Sequence, residues 1–210
     1  MINCGADWLV KIAAIKPHAI VITHPHPDHS GGLRFALLAP VYATAKAWKK
    51  MKNSSILKEF RKVLQPCEPV LIEGITFEAF PVVHLVLAPA VGYRISPGEA
   101  VVFYVPEVAR ILNRSRAFSG VRVYVGDGAT ITRPLTRREK LRGRSIGHAS
   151  IETQLQWCRK ERVTEMIVTH CGSAIVGGNK RYVETKLRSL GQKYGVRVEI
   201  AHDGKELSIR

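Results

Sequence analysis

The sequence predicts an α/β sandwich whose strands deliver their functional side chains to one common edge. Three observations lead there. Strand-like apolar runs, such as residues 19–22, 76–80 and 166–169, alternate with helix-like stretches and hairpins. The donor-bearing residues His24, His84, Asp127, His148 and His170 each lie just after such a run or just before a helix start. Loops at one edge of a sheet are where such folds place chemistry. The chain has 210 residues and 46% apolar content, which suits one domain over 1–210 with a sizeable core.

Residues 6–15 place Trp8, Leu9, Ile12 and Ala13 at helical spacing, and Pro17 ends that helix. The run 19–22 reads as a buried strand. It leads into Thr23-His24-Pro25-His26-Pro27-Asp28-His29-Ser30-Gly31-Gly32, where two prolines bar a regular helix or central strand and a stiff loop is expected. A short helix over 32–38 and a short strand over 41–43 follow. Residues 46–63 read as a basic helix with a solvated charged face and Trp48 and Phe60 turned inward. Strands over 70–72 and 76–80 form a hairpin around Glu73-Gly74, and the second delivers His84. Strands over 91–95 and 100–104 pair across Ser96-Pro97-Gly98. Residues 108–113 read as helix, and 121–125 as a strand ending at Gly126-Asp127-Gly128. An arginine-rich loop over 132–144 leads to Gly147-His148-Ala149-Ser150, with Ser150 at the start of an amphipathic helix over 151–161. The strand 166–169 ends at His170. A long helix over 180–190 and short strands over 196–200 and 206–209 close the chain.

The loop from His24 to His29 packs three imidazoles and a carboxylate into six residues. A rigid loop carrying nitrogen and oxygen donors at a strand end is what a first-row metal site needs. Histidines clustered by chance in a polar loop are the plain alternative, and further donors downstream count against it. The four cysteines are scattered with no CxxC pair, which fits reduced thiols and a cytoplasmic protein. Cys171 reads as a small buried residue. No apolar run is long enough to span a membrane, and the first residues lack the pattern of a secretory signal. A net charge of +15 suits phosphate-rich partners, a phosphate-containing small molecule or nucleic acid; general solubility or heat adaptation accounts for it equally well.

The ordered set His24-Pro25-His26-Pro27-Asp28-His29, His84, Asp127 and His170 resembles the metallo-β-lactamase superfamily. The resemblance implies a metallo-β-lactamase-type αββα sandwich, here short at its N-terminus. Only residues 1–18 precede the first strand, and Asn3-Cys4-Gly5 stands where the family often has aspartate-x-glycine. A first sheet that is incomplete, or completed by a second copy in a homodimer, is the corresponding expectation. The resemblance also implies two divalent metals. His24, His26 and His84 would hold one, Asp28, His29 and His170 the other, and Asp127 would bridge them. Imidazole and carboxylate donors without thiolate suit zinc first, then manganese or iron. Histidine rather than glutamate at His26 separates the chain from flavodiiron proteins, and aspartate rather than cysteine at Asp127 from true β-lactamases. Gly147-His148-Ala149-Ser150 before a helix, and Ala90–Ile95 after His84, look most like RNase Z and the phosphonate-pathway cyclic phosphodiesterases. The long RNase Z form carries a tRNA-gripping arm between the positions of His84 and Asp127, and that interval has no such excursion here.

The implied reaction is hydrolysis of a phosphodiester on a nucleotide, cyclic phosphate or RNA by a hydroxide shared between two metals. Asp28 would orient the nucleophile, and His148 would protonate the leaving alkoxide, with a second-sphere or capping role as its alternative. Arg133, Arg137, Arg138, Arg142 and Arg144 lie between Asp127 and His148 in sequence and could hold phosphates; a solvated loop is the plain alternative. Arg94 and Lys180 are weaker candidates. A carboxyl-ester, thioester or lactone hydrolase on the same metals, and a non-catalytic nucleic-acid-binding module, are the competing readings.

Overall fold

Two sheets pack face to face with helices outside each, and the sequence's apolar patterning explains each layer. The structure is a computed structural model describing every residue except 35–37, 52–53, 86–87, 139–144 and 209–210. In chain order, α1 (Ile12–Ile15) leads to β1 (Ile20–Val21), α2 (Pro27–Ser30), β2 (Val41–Thr44), α3 (Ala45–Lys50) and β3 (Arg61–Leu64). Then come β4 (Pro69–Ile72), β5 (Ile75–Leu85), β6 (Ala88–Ser96), β7 (Val102–Tyr104), β8 (Arg110–Ile111), α4 (Arg114–Phe118) and β9 (Val123–Asp127). The last part holds β10 (Leu135–Arg138), β11 (Ser145–His148), α5 (Ile151–Lys160), β12 (Glu165–Thr169), α6 (Ser173–Val176), α7 (Lys180–Tyr194) and β13 (Arg197–Ile200).

The first sheet runs β1-β2-β3, all parallel, and residue Ile2 bridges to Val21 at its edge. The second runs β13-β12-β9-β7-β6-β5-β4, parallel through β7 and antiparallel from there, with β8 also on β5. Between the sheets, Val21 and Leu64 meet Ile72, Phe77, Val91 and Tyr93. The Tyr93 hydroxyl, fully buried, donates to the Ile22 carbonyl at 2.7 Å and ties one sheet to the other. Ile12 and Ala47 cover the outer face of the first sheet over Ile20, Ile22 and Val41. Leu155, Cys158, Val183 and Leu187 of α5 and α7 cover the second over Tyr124, Met166 and Val168. This is the expected αββα sandwich.

Several elements differ from expectation for physical reasons. The helix over 6–15 is a 3-10 turn at Ala6–Trp8 followed by α1, because Val10 and Ile15 face water and the apolar spacing marks no buried stripe there. The helix over 46–63 stops at Lys50: Asn53, Ser54 and Ser55 are poor helix formers, and residues 61–64 gain a parallel ladder on β2. Residues 110–111 form β8 rather than helix, paired with Val82 and Val83 of β5. The loop 132–144 contains β10, paired antiparallel with β11. The helix over 32–38 is a 3-10 turn at Gly31–Arg34, with 35–37 outside the described residues, and 206–208 form no strand.

Candidate metal centre

Strand ends at one edge deliver the donors. Thr23 and His24 follow β1; Pro27 opens α2, which carries Asp28 and His29. The loop is therefore partly helical, because proline is favoured at the first helical position, where its missing N–H costs nothing. His84 is the penultimate residue of β5, Asp127 ends β9, His148 ends β11, and His170 follows β12 with left-handed backbone (φ 52°).

These side chains form two donor groups that share Glu107, a residue the sequence reading passed over. The first group is His24, His26, His84 and Glu107; the second is Asp28, His29, His170 and Glu107. Glu107 faces each group with a different oxygen. Its Oε2 lies 2.7 Å from His24 Nε2, 2.9 Å from His84 Nε2 and 3.5 Å from His26 Nδ1. Its Oε1 lies 3.0 Å from His170 Nε2 and 3.9 Å from His29 Nε2. Asp28 Oδ2 is 3.2 Å from His29 Nε2 and 3.3 Å from His170 Nε2.

The donor set fits a metal. His29 Nε2, His84 Nε2 and Glu107 Oε2 are buried, and among the described residues they lack a hydrogen-bond partner of good direction. All but the 3.9 Å His29–Glu107 spacing are within hydrogen-bond reach, but the atoms converge on shared points rather than pairing off. Buried polar atoms left this way are costly. Divalent cations at those points would satisfy them, and the nitrogen and oxygen donors are those that zinc, manganese and iron accept.

The electrostatics of the protein alone are strongly coupled here. Burial opposes charge on Glu107, yet the imidazoles of His170, His24, His26 and His29 outweigh it and hold its carboxyl far below the usual carboxylate range. Burial lowers the His24 pKa to about 4, while the Glu107 carboxylate raises that of His170 to about 9.

Asp127, expected to bridge two metals, lies in neither group; the carboxylate common to both is that of Glu107. Its carboxylate is already committed. Oδ2 accepts from the Val108 N–H at 2.9 Å and lies 2.8 Å from His148 Nδ1; Oδ1 accepts from the Ala129 N–H at 2.9 Å. Gln154 on α5 grips the Asp127 backbone, donating to its carbonyl at 2.7 Å and accepting from its N–H at 2.9 Å. Asp127 therefore fixes His148. The hydrogen bond raises the His148 pKa against the opposing effect of burial. The imidazole sits beside both donor groups, with ring centroids 4.9 Å from His84 and 6.2 Å from His170.

The signal for Glu107 was present in the sequence. It follows the predicted strand 100–104 at the same edge, and a lone carboxylate within Val102-Phe103-Tyr104-Val105-Pro106-Glu107-Val108 is out of place unless it is partnered.

His148 also marks one end of the β10–β11 hairpin, paired with Leu135. Gly147 has φ 122°, and a Cβ there would sit 2.1 Å from the Leu135 carbonyl oxygen. Its own carbonyl lies 3.2 Å from His84 Nδ1. Arg133 is exposed, as are Arg137 and Arg138 on β10; Arg142 and Arg144 lie outside the described residues. Arg94 bonds the Ser119 carbonyl, and Lys180 lies 4.0 Å from Glu184 on the exposed face of α7. Cys171 is half-buried and joins neither donor group. Among the described residues, no helix is long and apolar enough to cross a membrane.

Comparison with known proteins follows the same line. A family model described as the beta-lactamase superfamily domain matches residues 1–171. No curated protein matches the chain. Among solved structures, a diphosphatase from the PhnP family is 18% identical, with TM-score 0.67, over 99% of this chain and 79% of that one. An isothiocyanate hydrolase from Delia radicum gut bacteria is 15% identical, with TM-score 0.67, over 96% and 80%. The short form of human tRNase Z is 14% identical, with TM-score 0.61, over 100% and 87%. At such identities the likeness speaks to the fold alone.

Proposed function

The chain belongs to the metallo-β-lactamase superfamily, and from that premise we propose that it is a metal-dependent phosphodiesterase acting on a nucleotide, cyclic phosphate or RNA. Divalent ions held by the two groups that share Glu107 would supply Lewis acidity toward a phosphoryl oxygen and toward water. The Asp127–His148 pair carries the reading. Asp127 holds Nδ1, so Nε2 is the ring nitrogen left to give a proton to a departing alkoxide as the P–O bond breaks. Asp28, half-exposed at the open side of its group, is placed to orient the attacking water. Arg133 and Arg137, exposed beside the strand that ends in His148, and the net charge of +15 favour an anionic diester over a neutral ester.

The test is turnover of a dinucleotide, bis-(p-nitrophenyl) phosphate and p-nitrophenyl acetate, with zinc or manganese and metal counted. His148→Ala should lower dinucleotide turnover by ~10²–10⁴-fold with metal retained. The loss on bis-(p-nitrophenyl) phosphate should be smaller, because p-nitrophenolate leaves without a proton. Cleavage of the acetate alone would overturn the phosphodiesterase reading in favour of the ester-hydrolase one. Loss of metal in His148→Ala would move His148 into the ligand set.

A further inference from the structure

We propose that Asn3 makes the two halves of the centre unequal. It holds His29 with its proton on Nε2, so the His24–His26–His84–Glu107 half takes a divalent ion first and the Asp28–His29–His170–Glu107 half fills only at higher metal. The inference rests on the metal-centre reading above and concerns how that centre loads.

An imidazole ligates through a nitrogen whose lone pair is free, so its other nitrogen carries the proton and needs an acceptor. The first half provides two. The Gly147 carbonyl lies 3.2 Å from His84 Nδ1. The Thr23 hydroxyl lies 3.0 Å from His24 Nδ1. Its single proton goes to Asn3 Oδ1 at 3.0 Å, so toward His24 it acts as acceptor. With an ion bound, each could therefore keep its proton on Nδ1 and ligate through Nε2, the atom that in the metal-free chain faces the Glu107 carboxylate and, for His24, also His26 Nδ1 at 3.0 Å.

The second half is built the other way. Asn3 is buried, and its orientation is set because Oδ1 also accepts the Thr23 backbone N–H at 2.9 Å. Its amide nitrogen therefore faces His29 Nδ1, at 2.8 Å. Two donors cannot make that contact, so Nδ1 accepts and the proton sits on Nε2, the atom that faces Asp28. Turning the amide over would set its NH₂ against the buried Thr23 N–H. An ion at His29 Nε2 drives the proton to Nδ1 and creates a donor–donor clash. His170 brings no compensation: its Nδ1 is buried with no partner among the described residues.

Asn3 has φ 60°, a conformation that Asn and Asp both tolerate, so Asn3→Asp changes the hydrogen-bonding sense without straining the backbone. A carboxylate would accept from Thr23 and from His29 Nδ1–H together. The experiment strips the full chain with chelator and titrates it with Zn²⁺ or Mn²⁺ by calorimetry, with metal counted. The wild type should bind a first ion at least ~10-fold tighter than a second, and Asn3→Asp should tighten the second by ~10–100-fold while sparing the first. In ¹⁵N-histidine long-range NMR spectra, His29 of the metal-free wild type should appear protonated at Nε2, and after one ion is bound His24 and His84 should appear protonated at Nδ1. Two equal ions, or His29 protonated at Nδ1, overturns the inference. If Asn3→Asp fails to fold, the wild-type spectrum decides. Failure to bind any ion overturns the metal-centre reading itself.

Discussion

Glu107 and Asp127 divide between them what one carboxylate was expected to do. Glu107 offers one oxygen to each donor group, whereas Asp127 spends both of its oxygens on Val108, Ala129 and His148. The two residues should therefore fail differently. Glu107→Gln removes the anionic charge that both groups share and should abolish metal binding. Asp127→Asn leaves every member of the two groups in place but puts an amide against His148, so metal should be retained while dinucleotide turnover falls toward the range expected for His148→Ala. Metal counts on the two purified variants check this; metal lost from Asp127→Asn would return that residue to the ligand set. The same pair marks the limit of what was readable. His24, His26, Asp28, His29, His84 and His170 stand out by residue type and spacing, and the fold brings them together. Which carboxylate joins them depends on how far each strand end reaches, and linear spacing does not encode that.

At the scale of elements, the β10–β11 hairpin decides where His148 stands. Gly147 is its constraint: the backbone is left-handed and the Leu135 carbonyl blocks any side chain. Gly147→Ala should cost ~1–3 kcal/mol from backbone strain alone and should also displace His148 and the carbonyl that faces His84. Gly98→Ala is the matched control. Gly98 is equally left-handed (φ 99°) but has open space around it, so it should lower stability without selectively lowering turnover. Thermal unfolding beside dinucleotide turnover separates the two; equal residual activity in both variants would remove the hairpin from the mechanism. Elements with a clear period or turn were legible before the fold was known. The hairpin around Glu73-Gly74 and the α5 start at Ser150, which accepts from the Thr153 N–H, are examples. Elements that exist only through partners were not. β3 needs β2, β8 needs β5, and β10 needs β11; tertiary pairing there overrides local propensity.

At the scale of the molecule, the donor groups straddle the two sheets. His24, His26, Asp28 and His29 follow β1 of the first sheet, while His84, Glu107 and His170 come from β5, the segment after β7, and β12 of the second. The contact between the sheets also includes the apolar layer around Val21, Phe77 and Tyr93, the Tyr93–Ile22 hydrogen bond and the bond from the Val91 N–H to the Thr23 carbonyl at 3.0 Å. An ion in either group would therefore link the sheets and would bind the folded chain far better than the unfolded one. Free metal at ~100 times its dissociation constant should add ~2.7 kcal/mol of stability. For a chain of this size that corresponds to a rise in Tm of roughly 5–10 °C over the chelator-treated protein. The rise should continue with metal concentration, since the linkage is logarithmic. His84→Ala removes a second-sheet donor and leaves the first-sheet loop intact, so it should blunt the rise without abolishing folding. Thermal melts across a metal series, with and without chelator, test this. A Tm that ignores metal would mean that the donors do not clamp the two sheets.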